Sequence, residues 1–164
     1  MPSFVTEGPV TKSYVDTTAQ GLHVLTPVKA ATTGNISIAS ALNDGATIDG
    51  ITLSTDDRVL VKNQTDAEQN GIYEVGASPD RTTDFNHTGA TGKQNVRIGD
   101  FVFCEGGTTN AGHGFVMTGS ANFNTSGTGG SVDTDPIVFT QFSGLTNTIA
   151  VKKKWNRCYI SSNS

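Results

Sequence analysis

Apolar positions along this chain come in short bursts, mostly of two-residue period, separated by polar and glycine-rich stretches. Leu22-His-Val-Leu-Thr-Pro-Val28 alternates weakly and runs into a proline, which suits an edge strand. Asn35–Ala39 puts Ile36 and Ile38 on one face and reads as a strand. Thr47–Leu53 reads as another, with a bulge or turn at Asp49-Gly50. Arg58-Val-Leu-Val-Lys62 is an unbroken apolar run between two cations. It pairs in this reading with Ile72–Val75 across a polar loop, Asn70-Gly71 supplying left-handed backbone. Val96–Cys104 is the longest strand candidate and contains the run Phe101-Val-Phe-Cys104. Gly106-Gly-Thr-Thr-Asn110 then turns the chain into Gly114–Thr118. Pro136–Phe142 closes the series, with Ile137 and Phe139 on one side. Ser78–Gln94 and Gly119–Asp135 carry no strand signal, and loops of that length in a small domain are functional or disordered.

The pattern predicts an all-β fold, an antiparallel β-sandwich or barrel of about seven to nine short strands. A short N-terminal helix precedes it. Thr11 is its N-cap and Gly21 its stop, while Val10 and Tyr14 lie four apart with Val15 alongside, forming one stripe. A helix of about ten residues is marginal alone in water, so it needs a neighbour, from its own domain or from another copy of the chain. The organisation expected is an arm over 1–26, a β-rich domain over 27–144 and an extended tail over 145–164.

Composition narrows the class. Of 164 residues, 35% are apolar, 16% charged and 7% aromatic, while 24 Thr, 13 Ser, 12 Asn and 19 Gly fill the rest. Thr, Asn and Gly are poor helix formers, which excludes a helical bundle. A net charge of −4 with few charged residues excludes charge-driven disorder. No run approaches the ~20 apolar residues of a membrane span, and Met1–Gly8 has neither the basic start nor the apolar stretch of a secretory signal. The charge is split: residues 1–149 carry −8, whereas residues 150–164 carry +4 through Lys152, Lys153, Lys154 and Arg157, with the lone Trp155 among them. Four cations on an acidic chain are too small a field for nucleic acid. The tail fits docking on an acidic neighbour or on its own body better.

No catalytic set assembles from the sequence. Asp56 and Asp57 are adjacent, so on a strand they point to opposite faces, and Arg58 beside them suits a turn-and-ion-pair role. Asn63–Asn70 offers oxygen ligands at Asp66 and Glu68 but lacks the calcium-loop pattern. His23, His87 and His113 stand far apart, no zinc spacing exists, and no cofactor motif is present. Cys104 and Cys158 read as two unpaired thiols.

One set of segments resembles a known family. Val28-Lys-Ala-Ala-Thr-Thr-Gly-Asn-Ile36, Ile48-Asp-Gly-Ile-Thr-Leu53, Asp57-Arg-Val-Leu-Val-Lys-Asn-Gln-Thr-Asp-Ala-Glu-Gln-Asn-Gly-Ile-Tyr73 and Phe139-Thr-Gln-Phe-Ser-Gly144 resemble, in order, a β-rich module of phage tail-fibre-type proteins. Asp100–Asn110 and Gly114–Thr118 match as well, with Phe115 where the family tends to carry Trp, and Tyr14-Val-Asp16 resembles its helical lead. The resemblance implies a virion structural protein of a double-stranded DNA phage or virus, located on the tail or capsid surface. It implies an oligomer, often a trimer, contacts with other virion proteins, and no enzymatic activity. The chain departs from the family in its shortness, in extra loops at 81–95 and 119–135, and in the basic tail. Those departures suit a fibre base, an adaptor or a capsid decoration. Tyr14, Lys152, Lys153, Lys154, Trp155 and Arg157 are then the partner-docking candidates. A carbohydrate-binding adhesin module is the alternative, with a host-surface glycan held by Phe85, His87, Asn122 and Phe123 in the two loops.

Overall fold

The computed structural model describes residues 23–86, 96–119, 122–123 and 130–143. The expected N-terminal helix, the basic tail, Tyr14, His87, Lys152, Lys153, Lys154, Trp155, Arg157 and Cys158 lie outside these residues. Within them the chain is built almost wholly of strands. In order they are β1 (His23–Val24), β2 (Ala30–Ala31), a single helical turn α1 (Ile38–Ala41), β3 (Thr47–Ile48), β4 (Ile51–Thr52), β5 (Arg58–Val61), a 3-10 turn (Ala67–Gln69), β6 (Gly71–Glu74), β7 (Asp80–Arg81), β8 (Asp100–Phe103), β9 (Gly114–Met117) and β10 (Phe139–Ser143).

Two four-stranded sheets organise the body, with orders β1-β8-β9-β10 and β2-β5-β6-β7, beside the two-stranded β3-β4. Both larger sheets are mixed, a correction to the antiparallel sandwich or barrel expected. His23 and Val24 pair in parallel with Asp100 and Phe101, and Ala30 and Ala31 with Val59 and Leu60. The cause is one extended segment shared between the sheets. It hydrogen-bonds to β8 through Leu25 N–H to Phe101 O and Val28 N–H to Phe103 O. It then crosses to β5 through Lys29 N–H to Arg58 O and Thr32 N–H to Leu60 O. A hairpin cannot place two strands in parallel, so this pairing joins residues far apart in sequence. The expected boundary at residue 26 accordingly falls inside this segment, just after β1.

Two apolar clusters fill the body. The first joins both sheets and holds Leu25, Val28, Leu60, Ile72, Phe85, Val102, Phe115, Met117, Phe123 and Ile137. The second lies on the other face of the second sheet, where Val59, Val61, Tyr73 and Val75 meet Leu42, Ile48 and Leu53. The second sheet is therefore covered on both faces. That is why Val59-Leu60-Val61 reads as an unbroken apolar run rather than an alternation, with all three side chains fully buried.

Two local readings change. Asn35–Ala39 is not a strand: Ile36 and Ile38 pack on the second cluster from either side of the start of α1. The backbone of Ile36 is satisfied by a side chain instead, Gln64 Oε1 accepting its N–H at 2.8 Å and Gln64 Nε2 donating to its carbonyl at 2.9 Å. Ser78–Gln94, read as loop, begins with β7, which pairs with Tyr73 and Glu74. The Asp49-Gly50 turn is a two-residue hairpin with both residues at positive φ, +49° and +81°, the geometry that matches strand twist.

Candidate functional site

The described residues concentrate their buried polar chemistry in four places. Each is assembled from segments distant in sequence.

Arg81 is the deepest cation, its side chain 4% exposed. It donates through Nη1 to Asn70 O at 2.7 Å, through Nη2 to Glu68 O at 2.7 Å, and through Nε and Nη2 to Asp133 Oδ1 at 3.1 and 2.8 Å. The guanidinium lies 5.0 Å from the centre of the Tyr73 ring, over its face. Burial pushes the Tyr73 hydroxyl up to about 12, and it donates to Gln69 O at 2.8 Å. Gly71 is required here: at φ +155°, an added Cβ would sit 2.0 Å from Arg81 Nη1.

Asp49 fastens the loop that follows β8. Its carboxylate accepts the N–H groups of Thr109 at 3.0 Å and Asn110 at 2.8 Å, and the Asn110 amide at 3.0 Å. Asn110 Nδ2 also reaches Ala31 O at 3.0 Å. Desolvation works to raise the Asp49 carboxyl, but the hydrogen bonds from Asn110 and Thr109 outweigh it and hold it below the usual range. A lowered carboxyl stabilises the fold above its unfolded value near 3.8, and that stabilisation is lost as pH falls through the lower folded value. Asp49→Asn keeps a residue that tolerates positive φ and removes the anionic acceptor. It should cost about 1.5–3 kcal/mol at pH 7, with the gap to the parent closing in urea titrations toward pH 3. An unchanged midpoint at pH 7 would show that the loop is held by other contacts.

Asp100 is fully buried. It accepts His23 Nδ1 at 2.9 Å and Arg97 N–H at 2.9 Å, with Arg97 Nε 3.7 Å away. Burial dominates and raises its carboxyl despite these partners. Ionising it therefore opposes folding as pH rises from near 3.8 through the raised folded value. Arg58 makes a two-pronged pair with Asp84, at 3.0 and 2.8 Å, and donates to Thr26 O at 3.2 Å. Burial would raise Asp84; the Arg58 and Thr82 hydrogen bonds reverse it and leave the carboxyl low.

These arrangements relocate several sequence-based candidates. Phe85 and Phe123, candidates for holding a glycan, are instead core side chains, 0% and 2% exposed, and offer no face to a ligand. Asn122 is exposed and donates to Asp135. Asp57 accepts Ser54 N–H at 2.8 Å, so it serves a turn as expected, whereas Arg58 pairs with Asp84 rather than with Asp56 or Asp57. Asn70 accepts Gln64 N–H and donates to Ile137 O, so its amide ties the loop before β6 to the segment before β10. Among the described residues no three His, Cys, Asp or Glu side chains converge on a metal-sized point, and no helix is long and apolar enough to cross a membrane. The Cys104 thiol is buried, donates to Gly106 O and is pushed up to about 11 by desolvation.

The surface hollows are open grooves. One of about 320 Å³ is lined by Asp56, Glu74, Asp80 and Arg81, another of about 300 Å³ by Lys29, Asp57, Arg58 and Glu105. The Arg81–Asp133 and His23–Asp100 contacts were not read from the sequence, since each bridges more than fifty positions. No family model, curated protein or solved structure matches the chain.

Proposed function

We propose that the chain is a virion structural protein, a tail-fibre or fibre-base-like module that assembles into an oligomer, with a trimer favoured, on the surface of a phage or virus particle. The observation that carries this reading is the use made of the segment Asp57–Tyr73, whose core Asp57–Gln64 is the strongest part of the family resemblance. Six of its polar side chains hold one part of the fold to another. Asp57 closes a turn, Arg58 holds Asp84, and Lys62 lies 5.1 Å from the centre of the Phe115 ring. Gln64 pairs with Ile36, Asn70 with Ile137, and Tyr73 with Gln69. A motif that spends six polar side chains on holding shape suits a building block rather than a turnover site.

Native mass spectrometry of the isolated protein should give a constitutive oligomer, and purified particles should contain it in stoichiometric copy. A monomer that is also missing from particles would overturn the proposal. Imaging of labelled particles separates the tail location from capsid decoration. The basic tail is the expected docking element, because its +4 opposes the −8 of the preceding residues. Trp155→Ala should therefore weaken assembly while leaving the melting temperature of the dissociated body nearly unchanged. Equal losses in both would place the Trp in the fold instead.

A further inference from the structure

Asp100 is a carboxyl on the core side of its sheet. Strand alternation puts it on the face of Val102, which belongs to the first cluster, while Phe101 on the opposite face meets Phe142. Its side chain is 0% exposed. Both oxygens are engaged, Oδ1 by His23 Nδ1 and Oδ2 by the Arg97 N–H, each at 2.9 Å. Among the described residues, two elements bring it a charged or titratable group. β1 supplies His23, 43% exposed and so open to protons from solvent. The turn into β8 supplies Arg97, whose Nε stands at 3.7 Å, too far for a hydrogen bond, and has no other hydrogen-bond partner. Strand β9, on the other side of β8, offers none, since Gly114–Met117 contains no ionisable side chain.

Little else fastens β1. It is two residues long and lies at the edge of its sheet. His23 N–H reaches Gly99 O and Leu25 N–H reaches Phe101 O, both at 2.8 Å, and the Val24 side chain is 71% exposed. Beyond Thr26-Pro27 the hold is firmer. Val28 donates to Phe103 O and accepts from Glu105 N–H, and Lys29 N–H has moved to Arg58 O on the other sheet. Any weakening at Asp100 therefore falls on His23 and Val24, with the buried Leu25 as its limit.

The pair weakens in one direction of pH. A charged imidazolium gives the buried carboxylate a full positive charge at hydrogen-bond distance. A neutral imidazole still donates through Nδ1, but the carboxylate then keeps only the more distant Arg97, and a buried anion short of charge is costly. Lifting β1 relieves that cost by admitting water. Burial already pushes the Asp100 carboxyl up, so its own ionisation opposes the closed arrangement in the same direction, as pH rises.

We propose that His23 and Asp100 form a proton-operated latch, β1 lying on β8 while the pair holds the imidazolium proton and lifting off as far as Leu25 when that proton is lost. The latch stands where the preceding 22 residues join the body, and it operates whatever role the chain has in a particle. A nitroxide spin label on a cysteine at position 24 tests it, in the full chain carrying Cys158→Ser, the Cys104 thiol being buried. Spectra at pH 5.5 and 8.5 bracket the range in which imidazoles exchange their proton. The mobile fraction should rise at least threefold from the lower to the higher pH, while a label at position 138 shows no change. Asp100→Asn, with no carboxyl to ionise, should abolish the rise. His23→Lys, which stays cationic at both values, should keep the label immobile throughout. A parent fraction that does not change with pH, an equal rise at position 138, or a rise that persists in either variant would overturn the latch.

Discussion

Replacing Arg81 by Met should lower the unfolding free energy by about 3–5 kcal/mol, the range for removing one partner of a buried charged network. Methionine preserves much of the volume over Tyr73 and deletes every donor. Two backbone carbonyls, Asn70 O and Glu68 O, then lose their charge-assisted hydrogen bonds in a place where the guanidinium had been nearly sealed from water. Asp133 loses less, because its side chain is 65% exposed and water replaces the Arg. Asp133→Asn should accordingly cost under about 1 kcal/mol. Arg81→Lys should resemble the Met variant more than the parent, since a single ammonium cannot match the planar fork that reaches three acceptor groups. Urea unfolding followed by circular dichroism decides the matter. An Arg81→Met midpoint within error of the parent would mean that the carbonyls find water and that the guanidinium clamps nothing.

Phe85→Ala should cost about 3–5 kcal/mol by opening a cavity in the first cluster. The ring is fully buried, lies 5.7 Å from the Phe139 ring centre to centre, and would touch a side chain added at Gly71. Phe85→Leu should cost less, because more of the hole remains filled. The same substitution separates two roles for this residue. A ligand platform in an exposed loop would lose binding and change stability by no more than about 0.5 kcal/mol. A core ring loses stability, and thermal melts with equilibrium urea titrations read that loss directly.

The legible part of this fold was the part written in local pattern. The hairpin β5–β6 follows from an apolar run and a polar loop, although Asn70 is extended at φ −64° rather than left-handed and Gly71 already belongs to β6, and β3–β4 follows from Asp49-Gly50 between two isoleucines. Strands β8 and β9 fall within the segments marked by alternation and glycine turns, and β10 overlaps the last of them, extending one residue further to Ser143. The illegible part depends on distance. Parallel pairing of residues 23–31 with β8 and β5 has no turn to announce it. The period-two pattern of Ile36 and Ile38 misled because a glutamine side chain stands in for a strand neighbour, which hydrophobic spacing does not encode. Phe85 and Phe123 looked like loop residues since their neighbours are polar. Their burial comes from the first cluster, where Phe85 meets Phe139 and Phe123 lies against Gly130 at φ +79°. Of the candidate chemistry, the turn role of Asp57 was readable from its neighbours. The partners of Arg58, Arg81 and Asp100 were not, since Asp84, Asp133 and His23 lie 26, 52 and 77 positions away.

The shared segment between the two sheets has a consequence for synthesis. His23 cannot find its place beside Asp100 until a further 77 residues have left the ribosome. At about 5–20 residues per second that is a delay of roughly 4–15 s. During it the nascent apolar strand has no parallel neighbour. Non-local closure of this kind puts the domain among slow folders, in milliseconds to seconds even once the chain is complete. Holding chaperones and early self-association therefore compete for the unpaired segment at residues 23–28.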